Sequence, residues 1–153
     1  MNESMGTGMR AYMPYMVMAW KAAKLYDTCF ASIEKAHALT ANERGILLFL
    51  HNNPGLNTAA DVVQYCSISK SLVSKSVESL TRRGFLQSDK GTDRRCLHLS
   101  ITPKARTAVT ELSRAQQGFF AMLGEGLSEE ECRVFNGVLK KMGENAQRYA
   151  RKE

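Results

Sequence analysis

The segment from Ser69 to Gly84 constrains the fold more than any other, because it reads as one helix with a defined start and end. Its apolar residues recur at helical spacing and predict a core-facing side: Ile68, Val73, Val77 and Leu80. Ser69 is the predicted N-cap, because its hydroxyl can accept a hydrogen bond from an unpaired backbone N–H. Gly84 is the predicted left-handed residue after the helix, with Phe85 packing back on Leu80.

The other side of this helix is small, hydroxylated and positively charged, through Lys70, Ser71, Ser74 and Lys75. Such a surface can approach a polyanion closely. Two strands are predicted to follow, at 85–88 and at 97–101, the second because Leu97, Leu99 and Ile101 alternate with polar residues. A polar, glycine-containing loop from Asp89 to Arg95 joins them.

Helix, strand, basic loop, strand is the order of a winged helix-turn-helix, so we expect a mainly α fold of the α+β winged-helix type. In that fold one helix enters the DNA major groove, while the loop (the wing) reaches toward the adjacent minor groove. Between Lys70 and Arg95 there are seven Lys or Arg against three Asp or Glu. The chain's net charge of +6 is thus concentrated where DNA would lie.

Length and composition are those of one globular domain with a hydrophobic core: 153 residues, 44% hydrophobic and 24% charged. The apolar stretch 11–20 is too short to span a bilayer and lacks a convincing cleavage site, so we expect a cytoplasmic protein without membrane contact. The four cysteines are far apart and are expected to be reduced thiols. No cofactor or metal is expected, since the histidines are scattered and the methionine-rich start is typical of core filler or a tail.

Capping signals divide the rest of the chain into helices. Residues 1–10 are expected to be a loose tail, with a long helix beginning near Pro14. Further helix starts are predicted at Thr40 with Glu43, Thr58 with Asp61, Thr102 before Pro103, and Ser128 with Glu131. We therefore predict a single domain over 1–153, with a winged unit at 40–102. Long apolar helices at 12–37 and 103–150 are expected to form a homodimer, because in a monomer they would expose a large apolar surface.

With these motifs in place, the sequence resembles the MarR family of bacterial and archaeal transcriptional regulators. The resemblance covers roughly 12–150, and its specific motifs lie between 39 and 105. It rests on these segments: Leu39-Thr40, Ser69 to Lys75, Leu80 to Leu86, Asp93-Arg94-Arg95, and Leu99 to Ala105.

The resemblance implies a cytoplasmic, dimeric repressor or activator that binds double-stranded DNA at a pseudo-palindromic operator. It also implies a small-molecule or oxidation signal, read where the dimerisation and DNA-binding parts meet. Carried over by position, Ser71, Ser74 and Lys75 would face bases and phosphates in the major groove, with Lys70 beside them. Asp93 would hold Arg95 extended into the minor groove, while Arg94 and Lys90 would contact phosphates.

Two positions keep two readings each. Leu72 stands where the family often has a small or polar residue, and it either contacts a thymine methyl or turns inward. Cys29 is either a redox-sensing thiol near tyrosines or a core residue. The second is favoured, because the only basic residue nearby, Lys24, lies at another helical angle and a sensing thiol needs a basic neighbour.

Four functions are compared. A sequence-specific regulator is favoured, because the long apolar helices provide a dimer with room for a ligand. A nucleoid-type protein that binds DNA without sequence preference, or a thiol-based redox regulator, is the alternative. An enzyme is not expected, because no nucleophile and base, phosphate-binding loop or carboxylate pair is apparent.

Overall fold

The computed structural model describes residues 3–66, 68–90 and 97–150, and it is mainly helical with one small sheet. The elements are α1 Glu3–His37, α2 Ala41–Asn52, α3 Ala59–Cys66, α4 Lys70–Arg82, β1 Leu86–Lys90, β2 Leu97–Ile101, a 3-10 turn Pro103–Ala105, α5 Arg106–Leu123 and α6 Glu129–Ala150. This order confirms the predicted winged helix-turn-helix fold with long helices on either side.

The first helix starts earlier than the sequence predicted. α1 begins at Glu3, so the expected loose tail at 1–10 and the expected start near Pro14 were wrong for the residues from 3 onward. Pro14 lies inside the helix. Proline lacks the N–H that would bond to the carbonyl of Arg10, so the helix forgoes one hydrogen bond there and continues.

The two ends of α4 have the predicted geometry. The Ser69 hydroxyl accepts a hydrogen bond from the backbone N–H of Leu72 at 3.4 Å. At the other end Gly84 has φ +73°, its N–H donates to the Thr81 carbonyl at 2.9 Å, and the Phe85 N–H donates to the Leu80 carbonyl at 2.8 Å. This pair of bonds is a Schellman motif, and it turns the chain directly into the wing.

Two other capping boxes are present as predicted. Thr40 and Glu43 exchange side-chain and backbone hydrogen bonds at the start of α2, at 3.2 and 2.8 Å. Ser128 and Glu131 do the same at the start of α6, at 3.3 and 2.8 Å. Each box satisfies two backbone N–H groups that the helix leaves unpaired, so these helix starts are fixed by residues three positions apart.

The core lies where α1, α2, α4, α5 and the wing strands converge. Its fully buried side chains come from every one of these elements: Phe30, Ile46, Leu47, Val73, Leu80, Leu86 and Leu112. Val73 and Leu80, predicted as core residues of α4, are 1% and 0% exposed. α4 is therefore held from behind, and its opposite side is left open.

The two wing strands form an antiparallel pair in which Leu86 faces Ile101 and Lys90 faces Leu97. A single bridge between Thr58 and His98 adds the loop before α3 to the sheet. The hydroxyl of Thr102, expected to cap the following helix, instead donates to the Gly84 carbonyl at 2.6 Å. That hydroxyl lies next to the base of the wing, so it closes the wing and leaves Pro103 to start the next turn.

The chain divides into two compact units, Met1–Phe119 and Phe120–Glu153. In the second unit, α6 carries a stripe of apolar side chains that are all exposed: Val134, Phe135, Val138, Leu139 and Met142. Their spacing of three and four residues places them on one face of the helix. None of the helices in the described parts of the chain has the length and hydropathy needed to cross a membrane.

Candidate nucleic-acid interface

The four side chains predicted to face DNA on α4 all lie on its outer side. Lys70, Ser71, Ser74 and Lys75 are exposed. The helix therefore presents two positive charges and two hydroxyls to solvent, while its valines and Leu80 face the protein. Rigid packing behind such a surface suits it to contact a polyanion without rearrangement.

The start of α4 is organised by its serines. The Ser69 hydroxyl that caps the helix lies 3.2 Å from the Ser71 hydroxyl, within hydrogen-bond distance. This contact holds the Ser71 side chain close to the helix cap. Backbone N–H groups at a helix start favour negative charge, so Ser71 and Lys70 lie where a phosphate would be attracted.

Only the base of the wing falls within the described residues. The backbone of Lys90 closes the strand pair opposite Leu97. Asp93, Arg94 and Arg95 lie outside the described residues, as does the side chain of Lys90. Their roles in the minor groove and on phosphates therefore stay predictions.

The base of the wing is joined to the loop before α3 by side-chain and backbone hydrogen bonds. His98 Nδ1 lies 2.7 Å from Asn57 Oδ1, and the Leu99 N–H donates to the Asn57 carbonyl at 2.7 Å. The sequence analysis missed this contact, because a histidine and an asparagine 41 residues apart give no local signal. It fixes where the wing leaves the protein relative to α3 and α4.

The start of α3 is a capping box with an aspartate in place of glutamate, as predicted. Asp61 accepts hydrogen bonds from the Thr58 hydroxyl at 2.7 Å and from the Thr58 N–H at 2.9 Å. These bonds, with a smaller contribution from the charge of His98, hold the pKa of the Asp61 carboxyl below its ordinary value of 3.8. The carboxylate therefore stays ionised at neutral pH and stabilises the start of this helix.

Arg83 is one of the seven basic residues counted for DNA, but the structure gives it an internal role. Its guanidinium donates to the backbone carbonyls of His37 and Ala38, the first of these through Nη2. It also lies 3.6 Å from the Glu43 carboxylate. Arg83 therefore joins the end of α4 to the turn between α1 and α2. The sequence gives no signal that assigns this role to Arg83 and not to its neighbour Arg82.

A second internal cation, Arg44, connects α2 to α1 and was also missed. Its side chain is 8% exposed and bonds to Asp27 at 2.9 Å and to Glu34 at 2.8 Å. The guanidinium also lies 4.7 Å from the ring centre of Phe30. The signal in the sequence was the spacing of Asp27 and Glu34, which places two acids seven residues apart on one face of α1. These acids compensate the Arg44 charge inside the protein.

A groove of about 600 Å³ is lined by residues of α3, α4 and the wing strands. Its floor is apolar, formed by Val63, Val73 and Leu99, and Lys70 and Ser74 lie along its edge. Lys70 and Ser74, both predicted to contact DNA, therefore border both the groove and the outer face of α4.

Of the described cysteines, Cys29 lies on α1 and Cys66 at the end of α3. Cys29 is half-buried and packs against the hydrophobic core. Burial raises the pKa of the Cys66 thiol, which keeps it in the less reactive protonated form. Within the described ranges, no group of three His, Cys, Asp or Glu residues could hold a metal ion.

The arrangement of α3, α4 and a two-stranded wing is that of a winged helix-turn-helix. Residues 38–95 match the sequence model of the MarR family. This match confirms the resemblance, and the described part of the chain has the fold of solved MarR-family transcriptional regulators.

Individual proteins of similar structure or sequence are also transcriptional regulators by name or are described as binding DNA. A MarR-family transcriptional regulator from Silicibacter pomeroyi has a similar structure, with a TM-score of 0.75 at 18% identity over 89% of this chain and 90% of that one. BpsR from Bordetella bronchiseptica, whose DNA binding is regulated by 6-hydroxynicotinic acid, gives a TM-score of 0.65 at 24% identity over 85% of this chain and 98% of its own. The HTH-type transcriptional regulator YwhA of Bacillus subtilis is 24% identical over 67% of this chain and 75% of its own.

Proposed function

We propose that this protein is a sequence-specific transcriptional regulator that binds double-stranded DNA as a homodimer at a pseudo-palindromic operator. The observation that carries the proposal is the outer face of α4, where Lys70, Ser71, Ser74 and Lys75 are exposed on a helix anchored from behind. A helix of this kind fits the major groove, whose base edges differ for all four base pairs.

The contacts divide into those that read bases and those that supply affinity. Lys75 projects from the outer face of α4 and can donate to guanine acceptors, while Ser71 and Ser74 can pair with several bases. Lys70, at the helix start, would bind a phosphate. Phosphate contacts fix the position of the protein on DNA but carry little sequence information.

The wing would extend the contact into the adjacent minor groove. Arg95 is the residue proposed to enter the groove, because a guanidinium bonds several acceptors and is attracted to the strong negative potential of a narrow groove. Asp93 would hold it extended, and Lys90 and Arg94 would contact phosphates. The hydrogen bonds of Asn57 support this geometry, because they fix the base from which the wing projects.

Two copies are needed to read two half-sites. Exposed apolar side chains on the first half of α1, among them Tyr15, Met16 and Trp20, and the stripe on α6 supply surface for a homodimer. A two-fold axis that places both α4 helices on one side of DNA would space them about 34 Å apart, one helical turn. An inverted repeat would then be read as one site.

The regulatory signal is proposed to be a small molecule that changes the spacing of the two α4 helices. The example of BpsR, regulated by 6-hydroxynicotinic acid, supports a small ligand for this chain. A ligand shifts the equilibrium only by its difference in affinity for the two states. It would therefore act where the dimerisation helices meet the winged unit, the place at which Arg83 joins α4 to the end of α1.

The test is selection of binding sites from a random DNA pool by the purified protein at about 0.15 M salt, near physiological ionic strength. We expect enrichment of an inverted repeat whose half-sites lie about one helical turn apart. Retention of DNA without enrichment would favour a nucleoid-type protein that ignores sequence. Failure to retain DNA even at low salt would refute the assignment of α4 and the wing.

A further inference from the structure

Leu72 differs from the other apolar residues of α4 because its side chain is exposed. It is 45% exposed, and all thirteen residues of this helix fall within the described chain. Among them it is the one apolar residue that is exposed, since Val73 and Leu80 are buried and Val77 is half-buried. The structure thus excludes the reading in which Leu72 turns inward.

On this flank of α4 the apolar residue is exposed and the polar residue is buried, the reverse of the usual arrangement. Ser76, one turn after Leu72 and on the same side, is only 8% exposed. A helix selected for stability alone would have the leucine at the buried position and the serine at the exposed one, because burying an apolar side chain contributes to stability. Single exposed leucines are common on proteins, but here the leucine lies beside Ser71 and Lys75 on the proposed DNA face.

We propose that Leu72 is a specificity-determining residue that contacts the C5-methyl group of a thymine in the major groove. The inference rests on the function proposed above and names one base that the helix reads. The thymine methyl is the apolar group that distinguishes this base in the major groove. A leucine has no hydrogen-bonding group, so it is suited to that methyl and not to a polar base edge.

The contact works by removing water from two apolar surfaces. Leu72 is half-exposed before binding, so its surface is available without any change of conformation. Burying one methyl group corresponds to about a fourfold change in affinity. A cytosine at the same position would present an amino group to the leucine, leaving a polar group without a partner.

The experiment replaces each thymine of the selected operator by deoxyuridine, which differs only in lacking the methyl group. Wild-type protein is expected to bind about fourfold more weakly when one particular thymine of a half-site is replaced. Leu72→Ala is expected to bind the thymine operator several-fold more weakly and to bind both DNAs equally. Leu72→Met, which keeps an apolar side chain, is expected to retain the preference for thymine.

Lys70→Ala is the control, because loss of a phosphate contact should weaken binding to the thymine and deoxyuridine operators by the same factor. Wild-type binding that is insensitive to every replacement overturns the inference, as does a Leu72→Ala variant that keeps the preference. Selection that enriches no sequence refutes the proposed function as well. An enriched repeat without methyl sensitivity refutes only the role of Leu72.

Discussion

Two residues that follow helix ends adopt the left-handed backbone conformation, a glycine after α4 and an alanine after α1. Gly84 ends α4 with φ +73°, and Ala38 ends α1 with φ +50°. Both make the same pair of bonds to the preceding turn: the Leu39 N–H reaches the Glu34 carbonyl at 2.8 Å, as Phe85 reaches Leu80. Glycine adopts this conformation without steric cost, whereas the Cβ of alanine makes it unfavourable.

Exchanging these residue types should change stability in opposite directions. We expect Ala38→Gly to raise the free energy of unfolding by about 0.5–1 kcal/mol and Gly84→Ala to lower it by about 1 kcal/mol. A Cβ at position 84 would lie 3.5 Å from Lys104, an ordinary contact, so the cost would come from the backbone. Urea unfolding at pH 7 measures both. A loss of stability in Ala38→Gly would contradict this account.

Arg83 is expected to stabilise the protein without contacting DNA. Arg83→Ala removes its bonds to the carbonyls of His37 and Ala38, and we expect it to lower the free energy of unfolding by about 1–3 kcal/mol. Arg82→Ala, at an exposed position next to it, should change stability by less than about 0.5 kcal/mol. Equal effects of the two substitutions in thermal unfolding would show that the internal role is wrong.

Side chains were predicted well where their partners are near in sequence. The capping roles of Thr40, Ser69 and Ser128 follow from residues three positions away, so a single sequence is sufficient to find them. The roles of Arg83 and Asn57 depend on partners about forty residues distant, at 45 and 41 positions. Such contacts exist only once the fold is formed, and no local pattern distinguishes Arg83 from Arg82.

At the scale of elements, the start of α3 should be sensitive to acid through Asp61. Its folded-state pKa is lowered, so its stabilising effect is complete at pH values above 3.8 and is lost as the pH falls through the folded pKa. We expect Asp61→Asn to cost about 0.5–1.5 kcal/mol at pH 7. The gap between the two proteins should shrink below about pH 4, because the unfolded chain binds a proton at Asp61 there, and it should disappear once the folded carboxyl is also protonated at lower pH.

The measurement is urea unfolding of both proteins between pH 7 and pH 3, with Glu78→Gln as a control at an exposed carboxylate of α4. A gap between wild type and Asp61→Asn that stays constant with pH would mean that the carboxylate charge does not stabilise α3. A similar pH-dependent gap for Glu78→Gln would assign the effect to net charge instead.

The types of the elements were predicted correctly, but only some of their boundaries were. The start of α2, the end of α4 and the second wing strand agree with the sequence, because caps and alternation mark them. The start of α1 does not, because Pro14 signalled a helix start but lies inside the helix. Residue propensity is a weak signal, and a long helix can continue through a position that local rules disfavour.

At the scale of the whole molecule, the apolar stripe on α6 is expected to form part of a homodimer interface. Val138 lies in the middle of this exposed stripe. We expect Val138→Glu to weaken the dimer, because it places a charge in a surface that would lose water, and to weaken operator binding in consequence. Analytical ultracentrifugation at micromolar concentration measures the change in mass.

Lys140→Glu is the matched control, because it also adds negative charge to α6 but on the opposite side of the helix. It should leave the dimer intact. A wild-type protein that is already monomeric, or a Val138→Glu variant that stays dimeric with unchanged DNA affinity, would contradict the proposed interface.

The fold could be predicted because its local signals agree with each other. Charge, caps, strand alternation and the wing loop all indicate one winged unit, and the structure places α4 with its polar side outward. The homodimer, the operator and the effector depend on surfaces from a second chain, DNA or a ligand. Sequence patterns predict apolar stripes on these helices, and the structure shows that the stripe on α6 is exposed, but neither shows what covers it.

The central claim is that this protein reads DNA sequence, and the ratio of two dissociation constants tests it most directly. These are the constants for the selected inverted repeat and for a scrambled duplex of equal length and composition, measured at about 0.15 M salt. We predict tighter binding to the repeat by a factor of about 10³ or more. Ratios within about tenfold would contradict the account and identify a protein that binds DNA through its charge alone.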